Sequence, residues 1–226
     1  MRLRIKNIYV GSEKTFKKRD TSFKSSYEKQ KINDDIFVTT LGLKADTQSD
    51  KISHGGKDRA LCVYTQGAYN FFKDKYKLDL KECAFGENII LENCDDSDIC
   101  LGDIFTCSNA VLEVCQPRLP CWKISFISEI KNLTSIVVKE GKTGFQLRVL
   151  KEGEISKNDK FILQERKYPN ISIEFINKCF YNAKENQENI RNILKIEVLA
   201  SAYKKTLEKR YLNKSIGITK YQEDKV

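Results

Sequence analysis

Leu101-Gly102-Asp103-Ile104-Phe105-Thr106-Cys107-Ser108-Asn109-Ala110-Val111-Leu112-Glu113-Val114-Cys115 is two apolar, β-prone runs separated by Ser108-Asn109. That pattern predicts a β-hairpin. Its second strand runs on into Gln116-Pro117-Arg118-Leu119-Pro120-Cys121-Trp122-Lys123, which holds two of the chain's three prolines. Proline fixes φ and removes a backbone donor, so this segment must follow a stiff, non-helical course up to Cys121. Arg118 and Lys123 flank the thiol, and nearby cations favour the thiolate, the form that attacks electrophiles or binds metals. Most free cysteines are simply small buried hydrophobes, so a role for Cys121 needs support from elsewhere in the chain.

Upstream, Cys83-Ala84-Phe85-Gly86-Glu87-Asn88 reads as a glycine turn entering a strand to Leu91, and Leu61-Cys62-Val63-Tyr64 reads as a buried strand. Thr65 is placed to cap a helix over about Gln66 to Tyr76, with Tyr69, Phe72 and Tyr76 as its core stripe. Just before lies His54-Gly55-Gly56-Lys57-Asp58-Arg59-Ala60. Paired glycines let backbone approach a ligand, Lys57 and Arg59 add positive charge, and the helix start at Thr65 offers unpaired N–H groups, so one anion could be held by both features. The plainer reading is a glycine turn with solvated charges and a structural histidine. Ile5 to Val10 and Ile36 to Leu43 are expected strands, and the lysine-rich stretch from Gly11 to Lys31 a loop with a short strand.

Downstream, apolar spacing predicts one helix from Ile127 to Lys139. Gly141-Lys142-Thr143-Gly144 leads a strand to Leu150 and gathers Lys142, Thr143 and Arg148, but it lacks the spaced first glycine of a phosphate-binding P-loop. Gly153-Glu154-Ile155 reads as a turn and Lys160 to Gln164 as the last strand. Many short strands with one interposed helix give a mixed α/β, β-rich, barrel-like fold over residues 1–166. From Pro169 the spacing changes to that of three short helices, making 167–226 a small helical extension with a disordered tail from about Lys214. Lys204, Lys205, Lys209 and Arg210 on the last helix could mimic a nucleic-acid recognition helix, although such a run is more commonly a solvated face.

The chain has 226 residues and a formal charge of +9, which suits an anionic ligand or partner. No apolar run approaches membrane-spanning length and the N-terminus lacks the apolar core of a signal peptide, so a cytoplasmic setting is expected. The eight cysteines are then expected to be reduced. There is no Cys-x-x-Cys pair and His54 is the single histidine, which removes the usual zinc motifs. A metal here would need something besides protein ligands to hold it.

Five stretches in order, Gly42-Leu43-x-Ala45-Asp46-x-Gln48-x-Asp50, His54-Gly55-Gly56-x-Asp58-Arg59-Ala60, Phe85-Gly86-Glu87-Asn88, Gly102-Asp103 and Gln116-Pro117-Arg118-x-Pro120-Cys121, resemble the MOSC-domain family over about residues 36–165. The trailing helices are similar to the three-helix extension of its YiiM-like branch. The resemblance implies a barrel-like domain binding the molybdenum cofactor, a pterin with a dithiolene and a phosphate, with Cys121 as protein ligand to molybdenum. It also implies reduction of N-hydroxylated compounds such as base analogues, amidoximes and hydroxylamines, with electrons from a separate redox protein. The dithiolene would supply two soft sulfurs and Cys121 a third. Arg59, Arg118 and Lys123 would offset phosphate and dithiolene charge, and Gly55, Gly56 and Gly86 would bring backbone amides close. His54, Thr65, Glu87, Asn88, Gln116 and Arg148 complete the expected cofactor contacts, while N-terminal contacts near Lys24, Ser25 or Ser26 lie where the match is weak. Pyridoxal phosphate, a membrane and nucleic acid are not expected partners, and a homodimer is the assembly to test. Two other readings compete: a carrier or sulfur-transfer protein that binds cofactor or persulfide on Cys121 without turnover, and a nucleic-acid-binding protein acting through its last helix.

Overall fold

The computed structural model describes residues 1–18, 20–49 and 55–224; His54, an expected cofactor contact, lies outside the described residues. Seven strands close into a barrel: β1 (Arg2–Val10), β2 (Leu61–Thr65), β3 (Ile89–Glu92), β4 (Ile104–Cys107), β5 (Ala110–Pro117), β6 (Phe145–Lys151) and β7 (Lys160–Glu165). Their order is β1-β7-β4-β5-β6-β2-β3, and β3 returns to β1. All neighbours are antiparallel except β2 and β3, which the long connection through a helix makes parallel. Alternate side chains from each strand fill the interior, among them Leu3, Ile5, Val63, Phe105, Leu112, Val114, Phe145 and Phe161, all essentially sealed from solvent.

The predicted hairpin is β4–β5, with Ala110 opposite Cys107. Alternation then decides the fate of the next residues. Val114 points into the barrel, whereas Cys115, beside a register shift between Val114 and Gln116, packs outside it in a second core with the C-terminal helices. The predicted first helix, α1 (Gln66–Tyr76), is present, capped by the Thr65 side chain, which accepts from the Ala68 N–H at 3.2 Å.

Several expectations are corrected. The single helix over 127–139 is two, α2 (Lys123–Ser128) and α3 (Leu133–Glu140), with Glu129 and Asn132 at positive φ between them. The Ser128 hydroxyl donates to the Ile124 carbonyl at 2.6 Å, a local bond that competes with helix continuation. The lysine-rich stretch forms a hairpin of Lys14–Lys18 and Thr21–Ser25, braced by stacked Phe16 and Phe23. Ile36 to Leu43 is broken into Ile36–Thr39 and Gly42–Leu43, which pair with each other. Gly153–Ile155, expected as a turn, is a short strand against Ile36–Thr39.

The C-terminal helices are α4 (Ile173–Tyr181), α5 (Gln187–Ile193) and α6 (Ser201–Leu212), and their apolar faces share a core with Leu101, Cys115 and Val138. Arg210, assigned from sequence to an exposed basic run, is instead 6% exposed. Its guanidinium donates to the Phe180 and Gly217 carbonyls and lies over the Phe180 ring, and burial lowers its pKa. The tail expected to be disordered folds back, with a 3-10 turn at Lys220–Gln222. Among the described residues no helix is long and apolar enough to cross a membrane.

Candidate cofactor-binding site

Pro117 closes β5 opposite Phe145, and the Arg118 N–H donates to the Gly144 carbonyl at 3.0 Å. This fixes where the chain leaves the barrel. Four residues on, the Cys121 carbonyl accepts from the Thr134 hydroxyl at 3.1 Å and from the Ile124 N–H at 3.1 Å, tying the segment to α2 and α3. Cys121 is 3% exposed, yet it lines a cleft of about 690 Å³, including its open mouth. The cysteine therefore sits on a cleft wall rather than in a sealed apolar core.

Six expected residues share that cleft: Arg59, Gly86, Asn88, Arg118, Cys121 and Lys123. Arg118 is the most distinctive. It is buried, donates through Nη2 to the Phe85 carbonyl at 2.6 Å, and leaves Nη1 without a partner among the described residues. Among the described residues it makes no ion pair. An arginine stays charged in any protein environment, and buried charges are ordinarily paired, so this guanidinium calls for an anion. Lys123 sits at the start of α2 with its ammonium 5.2 Å from the Phe23 ring centre. Asn88 is more a rivet than a ligand: it accepts from the Cys62 N–H and donates to the Tyr9 carbonyl and to Asp46.

The other expected residues stand elsewhere. Gly55 and Gly56 do not line the cleft; Gly56 has φ 98° with open space beside it, so its freedom serves the turn before Lys57–Arg59. Gly86 does line the cleft, but a Cβ there would meet the Tyr27 ring at 3.0 Å, so its small size admits a tyrosine. Thr65 is a helix cap. Glu87 lies behind the cleft wall, its carboxylate receiving the Tyr69 hydroxyl at 2.5 Å and the Phe85 N–H at 3.1 Å; burial raises its pKa, partly opposed by those bonds. Gln116 is buried on β5, off the cleft. Arg148 is bound to Asp58 and Glu113, each at 2.7 Å, and reaches the Val198 carbonyl.

Of the N-terminal contacts expected near Lys24, Ser25 or Ser26, the two serines line the cleft, whereas Lys24 is exposed and pairs with Glu13 at 3.0 Å. Sequence reasoning missed Tyr27 and Lys29, which enter just after the N-terminal hairpin. Lys29 and Asp46 form a buried ion pair at 2.5 Å, and Asp46 also receives the Gly11 N–H and the Asn88 amide. No sequence signal joins them. Cys62 and Gln146, cross-strand partners on β2 and β6, also line the cleft. Alternation could have found both, because Val63 and Leu147 face the barrel interior and their neighbours must face out. Burial pushes the Cys62 thiol up to about 11, against the pull of Arg118.

Three buried lining atoms, Ser49 Oγ, Arg118 Nη1 and Gln146 Oε1, have no hydrogen-bond partner among the described residues. Buried polar atoms are almost always paired, so three lining one cleft mark a surface shaped for a polar ligand. Among the described residues no three His, Cys, Asp or Glu side chains could hold a metal ion together. The chemistry available is one soft sulfur, one unpaired guanidinium and several hydrogen-bonding groups, a set suited to an anion that brings its own metal ligands.

A family model described as the MOSC domain matches residues 50–161. The chain is 29% identical over 209 residues to YflK of Bacillus subtilis, covering 92% of this chain and 95% of that one. It is also 32% identical over 174 residues to a reductase of Gibberella moniliformis, covering 75% of this chain but 29% of that protein. The crystal structure of YiiM from Geobacillus stearothermophilus superposes with a TM-score of 0.77 at 29% identity, covering 92% of this chain and 99% of that one.

Proposed function

Since the chain belongs to the MOSC-domain family, we propose that its cleft binds the molybdenum cofactor and that the protein reduces N-hydroxylated compounds. The observation that carries this reading is the buried Arg118 guanidinium, whose Nη1 has no partner among the described residues, lining the same cleft as Cys121. The residues present fit the group. Cys121 would offer a soft thiolate to the metal, Arg118 would meet anionic charge with its free N–H, Ser49 and Gln146 would pair with polar edges of the pterin, and Arg59 and Lys123 would face its phosphate. Bound there, the molybdenum centre supplies the two-electron chemistry that removes oxygen from an N–OH group. Overall the N–O bond breaks, and two electrons from a separate redox protein and two protons yield amine and water.

The protein's own part is to fix the sulfur, hold cations that need no reorganisation against the cofactor's negative charge, and limit water on the buried wall. A reductase among the relatives supports the redox class, although this chain corresponds to 29% of that protein. Protein purified from cells that make the cofactor should carry molybdenum and pterin in stoichiometric amounts and, given a competent electron donor, reduce an N-hydroxylated base analogue. Absence of molybdenum from such protein would overturn the reading. Molybdenum without any reduction would favour a carrier instead.

A further inference from the structure

The segment bearing Cys121 is held from a distance. Pro120 has no N–H to give, and its carbonyl accepts from the Gln222 side chain at 3.1 Å, 102 residues away in sequence. The Trp122 N–H donates to the Tyr221 carbonyl at 3.2 Å. The residues on either side of Cys121 are thus both bound by the C-terminal tail, while the Cys121 carbonyl is taken by Thr134 and Ile124.

Gln222 is 2% exposed and its amide is fully committed: Nε2 donates to the Pro120 carbonyl and to the Tyr181 hydroxyl at 2.9 Å, and Oε1 accepts from the Thr219 N–H at 3.0 Å. The tail is itself anchored. The Gly217 N–H donates to the Tyr181 carbonyl at 2.7 Å, and buried Arg210 ties Phe180 to Gly217. Beyond the turn, the Asp224 carboxylate receives the Asn132 N–H at 2.6 Å, at the break between α2 and α3.

We propose that residues 219–224 form a strap that positions Cys121 for its metal, with Gln222 as the positioning residue. This deepens the cofactor reading and rests on it. Non-repetitive loops belong to the least stable parts of a fold, and a metal–sulfur bond needs its sulfur held where the metal will be. Pro117 and Pro120 stiffen the segment from within; the strap locks it from outside.

The test uses ligand-free full-length protein, iodoacetamide, and peptide mass spectrometry, with buried Cys179 as internal reference. In Gln222→Ala the alkylation rate at Cys121 should rise about tenfold, the change expected from losing one or two buried hydrogen bonds, while Cys179 stays unchanged. Gln222→Met nearly keeps the length and bulk but cannot donate to the Pro120 carbonyl, so it should behave like the alanine variant; a space-filling role would leave it like the wild type. A chain ending at Ile218 should show a larger rise, and if it does not fold the two point variants decide. In full-length protein purified with its cofactor, molybdenum retained after gel filtration should fall in parallel. An unchanged Cys121 rate in both point variants overturns the strap. A raised rate in protein whose wild type never carries molybdenum upholds the strap and overturns the cofactor reading.

Discussion

Cys115 and Cys121 lie six residues apart on one run of chain, each with an arginine near it, and they end in opposite surroundings. Cys115 is sealed beneath the C-terminal helices, its thiol donating to the Asp58 carbonyl at 3.0 Å, and burial drives its pKa far up. The arginine beside it, Arg148, is saturated by Asp58, Glu113 and Val198. Cys121 lies on a cleft, and Arg118 near it has an N–H with nothing to bond among the described residues. The lesson is that a cation next to a thiol does not make a site. What matters is whether that cation's hydrogen bonds are already satisfied by the protein.

The sharpest way to break this contrast is to remove each sulfur, leaving a methyl side chain. Cys121→Ala should lower molybdenum retention by more than about a hundredfold, beyond what loss of an outer partner costs, with little change in melting temperature. Cys115→Ala should leave retention alone and cost about 1 kcal/mol of stability through a small cavity, read from denaturant titration. Metal analysis of both proteins decides. Equal retention in the two variants would end the distinction.

The arginines offer the next test. Arg118→Ala should weaken cofactor retention by roughly tenfold or more, the worth of a hydrogen bond to a charged group, and Arg118→Lys should recover only part because its donors sit on one nitrogen, without the planar fork that points Nη2 at Phe85 and Nη1 elsewhere. Arg148→Ala should instead act on stability, by about 2 kcal/mol, since it strands the largely buried Glu113 carboxylate. Thermal melting and molybdenum content measured together separate the two roles.

How much of this was readable beforehand depends on the range of the interactions. The β4–β5 hairpin, α1 with its Thr65 cap, and the stiff run to Cys121 are dictated by neighbouring residues, and the sequence shows them plainly. That Arg59 and Asn88 share a cleft with Cys121 was expected from the resemblance of ordered motifs, and Lys123 from its place beside the thiol. Local pattern misled where tertiary contacts prevailed: the apolar spacing of 127–139 continues through a break that Ser128 and Asn132 impose, and Gly153–Ile155 is a strand only because Ile36–Thr39 lies beside it. Lys29 meeting Asp46, Arg148 turning to Asp58, and Gln222 reaching Pro120 are pairings between distant residues with no local signature.

The smallest expected effect concerns the turn that supports Arg118 from behind. Asp96 is wholly buried; its Oδ2 receives the Thr143 and Gly144 N–H groups, both at 2.9 Å, and its Oδ1 has no partner among the described residues. Desolvation dominates and raises its pKa from 3.8 to about 7, against the two backbone bonds. The folded state therefore holds the proton more tightly than the unfolded one. The stability this confers is complete below the unfolded value and is lost as pH climbs through the window from 3.8 to about 7. Asp96→Asn keeps a carbonyl for both N–H groups and cannot ionise, so its melting temperature relative to wild type should rise across that window and level off above it. A difference between the two proteins that stays flat with pH would mean Asp96 ionises freely. Because Gly144 in turn accepts the Arg118 N–H, the substitution should leave molybdenum retention within about twofold, the effect of a group two bonds removed from the cleft being small against that of the arginine itself.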